Sequence, residues 1–319
     1  MSSIQANNLS FYGHGKILLS GEYFVLDGAK SLGLPTTVGQ NLLIKHRKSY
    51  RPTLKWRSYD NNKNLWFECE FEFWHFDLIG KKENEQTRFL QKILRQARKQ
   101  NSHFLREEMD IVAESHLEFP LEWGLGSSST LIYNIAQWAY VGPFELLFKT
   151  IGGSGYDIAC AQANGPILYE KKNLGPTWGE TNFAPPFIDQ LFLIYLGKKR
   201  KSSEAIASFV QSKKDKSSIK EQISNLTLEF NESKKIEEFN KLIKAHELII
   251  SDFLETPRVK KQYFDDFWGE VKSLGAWGGD FALVTSDRTH QETKNYFLSK
   301  GLDVFIPFKE MVLMPQKEA

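Results

Sequence analysis

The chain has 319 residues, which is enough for one large domain or two lobes with a sizeable core. Lys and Arg number 41 against 39 Asp and Glu, and this balance predicts neither nucleic acid nor a membrane surface as a partner. Two cysteines in so long a chain argue against a disulfide framework, and without a signal-peptide pattern or a membrane-length apolar run we expect a cytoplasmic protein.

The first part of the chain is predicted to be rich in strands. Residues 11–26 are predicted as a strand, a turn near Gly21 and further extended chain, and short strands follow at 42–47 and 54–59. Apolar and acidic residues alternate within 65–74, which is typical of a half-buried strand with one face in the core.

Helices are predicted further along the chain. Residues 86–100 carry apolar side chains at helical spacing, and 110–117 are predicted as a strand. This strand leads into the segment EWGLGSSST, after which a helix is predicted over about 128–140. A Gly-Pro break precedes a short helix that ends near Ile151, and the turn GGSGYDIA begins another helix.

The second half is also predicted to mix strands with helices. Its Gly- and Pro-rich start, 175–187, is the best candidate for a boundary between two lobes. A strand at 191–197 is followed by three helical stretches, by a glycine turn that enters a strand, and by a late strand at 303–308. Because strands and helices do not strictly alternate, the predicted fold class is α+β.

The segment from Glu122 to Thr130, EWGLGSSST, is the most informative stretch. Its two glycines allow positive φ and a close approach to a ligand. The helix that follows offers unpaired N–H groups and the positive end of its dipole, which suit phosphate oxygens, and hydroxyls at such a helix start can bind magnesium. No Gly-Lys-Ser/Thr follows, so the segment is not a Walker A loop. The alternative is an ordinary capped helix after a glycine turn.

Four segments, in order, resemble the motifs of the GHMP kinases, the family of galactokinase, homoserine kinase, mevalonate kinase and phosphomevalonate kinase. The glycine loop has the form Pro-x-x-x-Gly-Leu-Gly-Ser-Ser, which resembles the family's phosphate-binding motif. GKILLSGEYFVLDGA resembles the first motif, GGSGYDIACAQANGPILYE the segment with the catalytic aspartate, and GAWGGDFALV the third, glycine-rich motif. The resemblance extends from Gly15 to about Val284.

The resemblance implies a two-lobed α+β GHMP kinase fold. An N-terminal nucleotide-binding lobe of β-α-β type, residues 1–185, carries the phosphate loop, and a ferredoxin-like C-terminal lobe covers 186–319. The cofactors implied are ATP and Mg²⁺, and the partner implied is a small-molecule acceptor. The sequence leaves the oligomeric state open, a homodimer included.

The resemblance further implies a kinase of the mevalonate pathway, which makes isoprenoid precursors. GEY, GSGYDIA and Asp280 look more like phosphomevalonate kinases, whereas GKILLSGE fits mevalonate kinase equally well, so the acceptor stays open between mevalonate and phosphomevalonate. One alternative is a diphosphomevalonate decarboxylase-like enzyme of the same superfamily. Another is a nucleotide-binding homologue that has lost catalysis.

Asp157 and Lys16 are the catalytic residues that the resemblance implies. Asp157 takes the place of the general base, or of the charge that orients the acceptor hydroxyl. Its alternative role is to cap a helix that starts near Ile158. Lys16 takes the place of the cation that stabilises the developing charge and partners Asp157. Its alternative is an exposed lysine on a strand.

The nucleotide and its metal are assigned to the glycine loop and the helix after it. The residues implied for the phosphates are Gly124, Leu125, Gly126, Ser127, Ser128 and Ser129. Ser128 is the implied magnesium ligand, while the side chains of Ser129 and Thr130 are expected to cap and pack. Glu145 is the candidate second ligand, because it is the only acid between Thr130 and Asp157.

Acceptor contacts are implied at seven positions. These are Glu22, Ser154, Gly155, Lys198, Lys199, Gly278 and Gly279. The cations at 198–200 follow a strand, where they form either an anion site or a solvated face. Trp277 interrupts the third glycine run and either narrows the approach to the phosphates or packs under the turn. Glu122 and Trp123 have no role in this scheme.

Overall fold

The computed structural model describes residues 8–48, 52–80, 82–106, 109–197, 209–212, 214–275, 277 and 279–315. The chain divides into two compact units that interleave along the sequence. The first unit comprises Met1–Gly15, Val38–Leu121 and Leu125–Gln162, and the second comprises Lys16–Thr37, Glu122–Gly124 and Ala163–Ala319. The lobe boundary after residue 185 therefore stays a prediction, since compactness divides the chain at other places.

The described residues form strands, α-helices and short 3₁₀ helices. The strands are β1 (Leu9–Ser20), β2 (Ser31–Lys48), β3 (Thr53–Tyr59), β4 (Leu65–Glu72), β5 (Met109–Leu117), β6 (Ile167–Lys172), β7 (Gly175–Glu180), β8 (Leu191–Tyr195), β9 (Val271–Ser273), β10 (Phe281–Thr285) and β11 (Phe305–Pro307). The helices are α1 (Glu85–Gln100), α2 (Ser127–Ala139), α3 (Pro143–Thr150), α4 (Tyr156–Gln162), α5 (Ser217–Glu232), α6 (Ile236–Leu254), α7 (Val259–Tyr263), α8 (His290–Ser299) and α9 (Phe308–Met311). The 3₁₀ helices are Phe24–Asp27, Leu121–Trp123 and Ile188–Gln190. None of the described helices is both long and apolar enough to cross a membrane.

In the first unit, strand pairing follows the order β4-β3-β5-β2, with β3 and β5 parallel and the other pairs antiparallel. Alternate residues of these strands and one face of each helix point into a single apolar core. Trp56 and Phe71 come from the strands, Leu90 and Ile93 from α1, and Ile135 from α2. The predicted helix at 86–100 is confirmed as α1, because its apolar spacing matches the buried face.

In the second unit, the strand order β11-β8-β10-β9 is antiparallel throughout. Helices α5, α6 and α7 connect β8 to β9, and α8 connects β10 to β11. A β-α-β-β-α-β order with this pairing is the split βαβ arrangement, and it confirms the predicted ferredoxin-like character. In the same unit, β6 pairs with β7 and with the start of β2 at Ser31–Gly33.

Two segments differ from their predicted structure. After Gly21 the chain forms a 3₁₀ helix instead of extended chain, because Gly21, Tyr23 and Gly28 have φ of 106°, 62° and 85° and turn the backbone. The Gly- and Pro-rich segment at 175–187 contains strand β7, which pairs along its whole length with β6. Its glycines and proline masked the strand pattern, since both residue types are rare in strand interiors.

A buried cluster of four ionisable side chains lies in the second unit. Glu22, His246, Glu247 and Lys272 are each at most 1% exposed. The Lys272 ammonium donates a hydrogen bond to the Glu22 carboxylate, and His246 Nε2 lies 3.1 Å from Glu22 Oε2. The backbone N–H of Ser273 donates to Glu247 Oε1 over 3.1 Å. A buried charge is tolerated only when it is paired, so Lys272 and Glu22 depend on each other.

The cluster holds one acid ionised and the other protonated near neutral pH. Burial raises the pKa of Glu22, but Lys272 and His246 outweigh it, and the net pKa is lowered. For Glu247, burial and then the Glu22 charge raise the pKa to about 8 against the opposing effect of Lys272. The pKa of His246 is lowered by burial and by Lys272, against the opposing effect of Glu22.

We predict that Glu247→Gln gains stability relative to the wild type as the pH rises from about 5 to about 8. The folded pKa of Glu247 lies above the ordinary value of 4.5, so the folded protein keeps a proton that the unfolded chain releases. The wild type must therefore lose stability through this window, whereas a glutamine cannot ionise and its amide oxygen still accepts from Ser273. Urea unfolding midpoints at several pH values measure the difference.

The matched control for this prediction is Glu237→Gln, which changes an exposed glutamate on the same helix. This control should follow the pH dependence of the wild type. A stability difference between Glu247→Gln and the wild type that stays constant across the whole pH range would show that Glu247 does not titrate as described.

Candidate functional site

Within the first unit, the glycine loop ends at Gly126, the residue before α2. Gly126 has a φ of 91°, a left-handed conformation that favours glycine, and its carbonyl accepts the N–H groups of Ser129 and Thr130, each over 3.0 Å. Ser127 is half-buried and Ser128 is exposed in the first turn of this 13-residue helix. The helix start therefore presents N–H groups, the positive dipole end and an exposed hydroxyl together.

The same helix reaches Asp157 through a side-chain hydrogen bond, in which the Ser129 hydroxyl donates to the Asp157 carboxylate. Helix α4 is capped by the carbonyl of Gly155, which accepts the N–H groups of Ile158 and Ala159, each over 3.1 Å. Asp157 thus lies inside the first turn of α4 and is not its N-cap. The structure brings the aspartate and the start of α2 together within one unit.

One hydroxyl of the loop has a different hydrogen-bond partner from the one that the sequence predicts. Ser129 is buried, and its side chain bonds Asp157 instead of capping α2. Thr130 is also buried, and its hydroxyl bonds Gln40 and the carbonyl of Ser127, in keeping with the packing role expected of it. The exposed member of the run is Ser128.

Within the second unit, the residues just before this loop are attached to strands β8 and β10. The Tyr195 hydroxyl donates to the Glu122 carbonyl over 3.1 Å. The Trp123 ring meets Phe281 edge-on, with ring centroids 5.4 Å apart and planes at 90°. These contacts give Glu122 and Trp123 a role that the sequence did not reveal, because they anchor the start of the loop.

Asp280 lies close to Gly124 within the second unit. A Cβ atom on Gly124 would lie 2.2 Å from Asp280 Oδ2, and the φ of 66° is itself left-handed. The space above Gly124 is therefore taken by a carboxylate of this chain. Burial raises the pKa of Asp280, and the positive charge of Lys16 acts in the opposite direction. Lys16 itself is half-buried in the middle of β1.

Two residues singled out in the sequence are core residues of the second unit. Glu22, predicted to bind the acceptor, lies in the buried cluster with Lys272 and is 1% exposed. Trp277 is 2% exposed, packs in a cluster with Phe24, and its backbone N–H donates to the Tyr23 hydroxyl over 3.0 Å. The reading in which Trp277 packs under the turn is confirmed.

The other predicted acceptor residues are less informative. Ser154 and Gly155 are buried in a turn where Gly152, Gly153 and Gly155 all have positive φ. Gly279 is buried as well. Lys198, Lys199 and Gly278 lie outside the described residues. An acceptor role for these positions stays a prediction.

The proposed magnesium ligands differ in how well they suit a metal. Ser128 offers an exposed hydroxyl at the helix start, and oxygen ligands of this kind suit Mg²⁺. The Glu145 side chain is 52% exposed and forms an ion pair with Lys149, one turn along α3. No group with metal-ligand spacing among the described residues includes Glu145, and a magnesium role for either residue stays a prediction.

A different group of side chains has metal-ligand spacing among the described residues, and no predicted site residue belongs to it. It consists of Glu72, His75 and Asp77, at the end of β4. The Glu72 carboxylate accepts the backbone N–H groups of Trp74 and Asp77, over 2.8 and 3.1 Å. Asp77 is further paired with Arg95 over 2.7 Å. These partners explain the group as a capped turn.

Comparison with known proteins finds no matching family model and no matching curated protein. Solved structures do match over nearly the whole chain. Mevalonate kinase from Methanococcus jannaschii is 13% identical with a TM-score of 0.68, and the match covers 95% of this chain and 98% of that chain.

Two further structures show the range of the similarity. Phosphomevalonate kinase from Streptococcus pneumoniae, in complex with phosphomevalonate and AMPPNP, is 17% identical with a TM-score of 0.68, over 93% of this chain and 98% of that chain. Galactokinase from Lactococcus lactis, complexed with galactose, is 14% identical with a TM-score of 0.64, over 92% of this chain and 89% of that chain. The chain, with its two sheets and α+β order, has the GHMP kinase fold.

Proposed function

We propose that the protein is an ATP-dependent small-molecule kinase that transfers the γ-phosphate of ATP to mevalonate or phosphomevalonate. The observation that carries the proposal is the hydrogen bond from Ser129 to Asp157. It joins the start of α2, which suits phosphate oxygens, to the carboxylate that resembles the family's catalytic aspartate. A kinase needs both features at one place, and a merely capped helix needs neither.

Each residue of the proposed site has a role that follows from its chemistry. The N–H groups at the start of α2 bind phosphate oxygens, and the exposed Ser128 hydroxyl is the candidate ligand for Mg²⁺. When bound, Mg²⁺ neutralises charge on the phosphates. Asp157 takes the proton of an acceptor hydroxyl or orients that hydroxyl, and Ser129 holds the carboxylate. Lys16 supplies positive charge, which is a large contribution to phosphoryl transfer.

The fold similarity supports the nucleotide and leaves several acceptors to be tested. The Streptococcus pneumoniae relative was crystallised with AMPPNP, and the Lactococcus lactis relative with galactose. ADP release should therefore be measured with mevalonate, phosphomevalonate, galactose and homoserine in turn. We expect turnover with mevalonate or phosphomevalonate. Carbon dioxide release from diphosphomevalonate would identify a decarboxylase, and ATP binding without turnover on any acceptor would identify a silent homologue.

We predict that Asp157→Asn lowers kcat with mevalonate by about 10²- to 10⁴-fold, the usual contribution of a general base. The fold should survive, because Asn keeps the shape and its amide oxygen still accepts from Ser129. With phosphomevalonate the loss should be smaller, since a phosphate acceptor is already ionised. ADP release and thermal melting measure the two effects. Asp189→Asn, at an exposed acid paired with Lys309, is the control, and wild-type turnover of mevalonate by Asp157→Asn would refute the assigned base.

We predict that Lys16→Met lowers kcat by about 10²- to 10³-fold, as expected for loss of one group that stabilises transition-state charge. Methionine keeps much of the aliphatic packing of the lysine but carries no ammonium. Lys16→Arg should recover part of the rate, since it restores the charge with different geometry. The control is Lys30→Met, at an exposed lysine of the same unit. Equal rates for Lys16→Met and Lys30→Met would contradict a catalytic role for Lys16.

A further inference from the structure

Asp280 stands between two glycine turns of the second unit. A Cβ on Gly124 would lie 2.2 Å from Asp280 Oδ2, and a Cβ on Gly275 would lie 3.7 Å from the same atom. Both glycines are left-handed, with φ of 66° and 67°. Gly124 belongs to the phosphate loop and Gly275 to the third glycine-rich segment. A single carboxylate oxygen therefore lies close to both segments. The backbone of Asp280 is fixed as well, because its carbonyl accepts the N–H of Leu196 over 2.8 Å.

An uncharged side chain of the same size could fill the space above Gly124, so the negative charge of Asp280 needs its own explanation. An ionised carboxylate is costly to bury, and an acid beside a phosphate loop repels the phosphates. Burial raises the pKa of Asp280, and the cation that opposes this effect is Lys16. Among the described residues, Tyr195 is a further titratable neighbour, and its pKa is raised by burial, by Glu122 and by Asp280. Lys16 is thus the cation in this set.

We propose that Asp280 is a positioning residue, whose carboxylate seats Gly124 at the start of the phosphate loop and orients the Lys16 ammonium. The proposal rests on the proposed kinase function. It gives Gly124 a second reason to be glycine, since the Cβ atom of any other residue would clash with Asp280 Oδ2. Lys16 has a flexible four-carbon stem, and the charge of Asp280, which interacts with it electrostatically, restricts where its ammonium lies. Loss of that anion should lower kcat more than it raises KM.

The seating of Gly124 is tested by a double-mutant cycle that needs no enzyme activity. Gly124→Ala, Asp280→Ala and the double variant are compared with the wild type by thermal and urea unfolding. Gly124→Ala should lower the Tm by several degrees, because the new methyl group meets Oδ2 and the φ is left-handed. The double variant should lose clearly less than the sum of the single losses. Strict additivity would overturn the proposed contact.

The orientation of Lys16 is tested by Asp280→Asn, which keeps the shape of the side chain and removes its charge. We expect kcat to fall about tenfold, a barrier change of about 1.4 kcal/mol, with both KM values and the Tm nearly unchanged. Asp189→Asn is again the matched control, because Asp189 is an exposed acid of the same unit. Wild-type kcat in a folded Asp280→Asn variant would overturn the role, since a purely space-filling aspartate predicts that result.

The two experiments separate this inference from the proposed function. If the wild type releases ADP with every acceptor at background rate only, the kinase proposal fails. The unfolding cycle then decides the seating of Gly124 by itself, because it needs no enzyme activity. Coupled stability losses would support Asp280 as the residue that seats Gly124. Additive losses would overturn it.

Discussion

The close contact between Asp280 and Gly124 is the constraint on which the candidate site depends. A carboxylate occupies the volume that a side chain at Gly124 would need, so only glycine fits at this point of the glycine loop. The Tyr195 hydroxyl and the Phe281 ring hold the two preceding residues. Preorganised N–H groups are effective only when the backbone that carries them cannot move away. The anchoring therefore matters as much as the glycines.

Buried charge supports the second unit in the same way. Glu22 follows the segment that contains Lys16, and its ion pair with Lys272 ties that segment to β9. Both partners are almost completely buried, so removal of either leaves an unpaired charge, which typically costs about 3–5 kcal/mol. Glu247 avoids the same cost by keeping its proton. The pair makes Glu22 a structural residue of the first motif in this chain.

The sequence predicts the local parts of this site and misses the partnerships between them. The glycine turn and the start of α2 are local patterns that the sequence reveals, whereas Asp157 was singled out by the resemblance of its segment to a family motif. The bond between Ser129 and Asp157 spans 28 residues, that between Tyr195 and Glu122 spans 73, and that between Glu22 and Lys272 spans 250. No periodicity reports such contacts, because they arise only when distant elements pack.

Two kinds of element escaped prediction for physical reasons. Strand β7 contains Gly175, Pro176 and Gly179, which are typical of turns, and its pairing with β6 overrides that preference. Strand β9 has three residues, too few for an alternation to be recognised.

The role of Asp280 could be proposed only from the structure, although the sequence shows that the residue follows two glycines. A carboxylate next to glycines indicates a ligand site or a tight contact equally well until the neighbour is known.

The central claim is that the segment from Leu121 to Thr130 binds nucleotide phosphates, and hydrogen–deuterium exchange with and without ATP and Mg²⁺ tests it most directly. Bound phosphates should occupy the N–H groups at the start of α2 and slow their exchange. We expect protection in peptides that cover this segment and unchanged exchange in the exposed turn between β3 and β4. Exchange in the segment from Leu121 to Thr130 that is the same with and without saturating ATP and Mg²⁺ would contradict the claim.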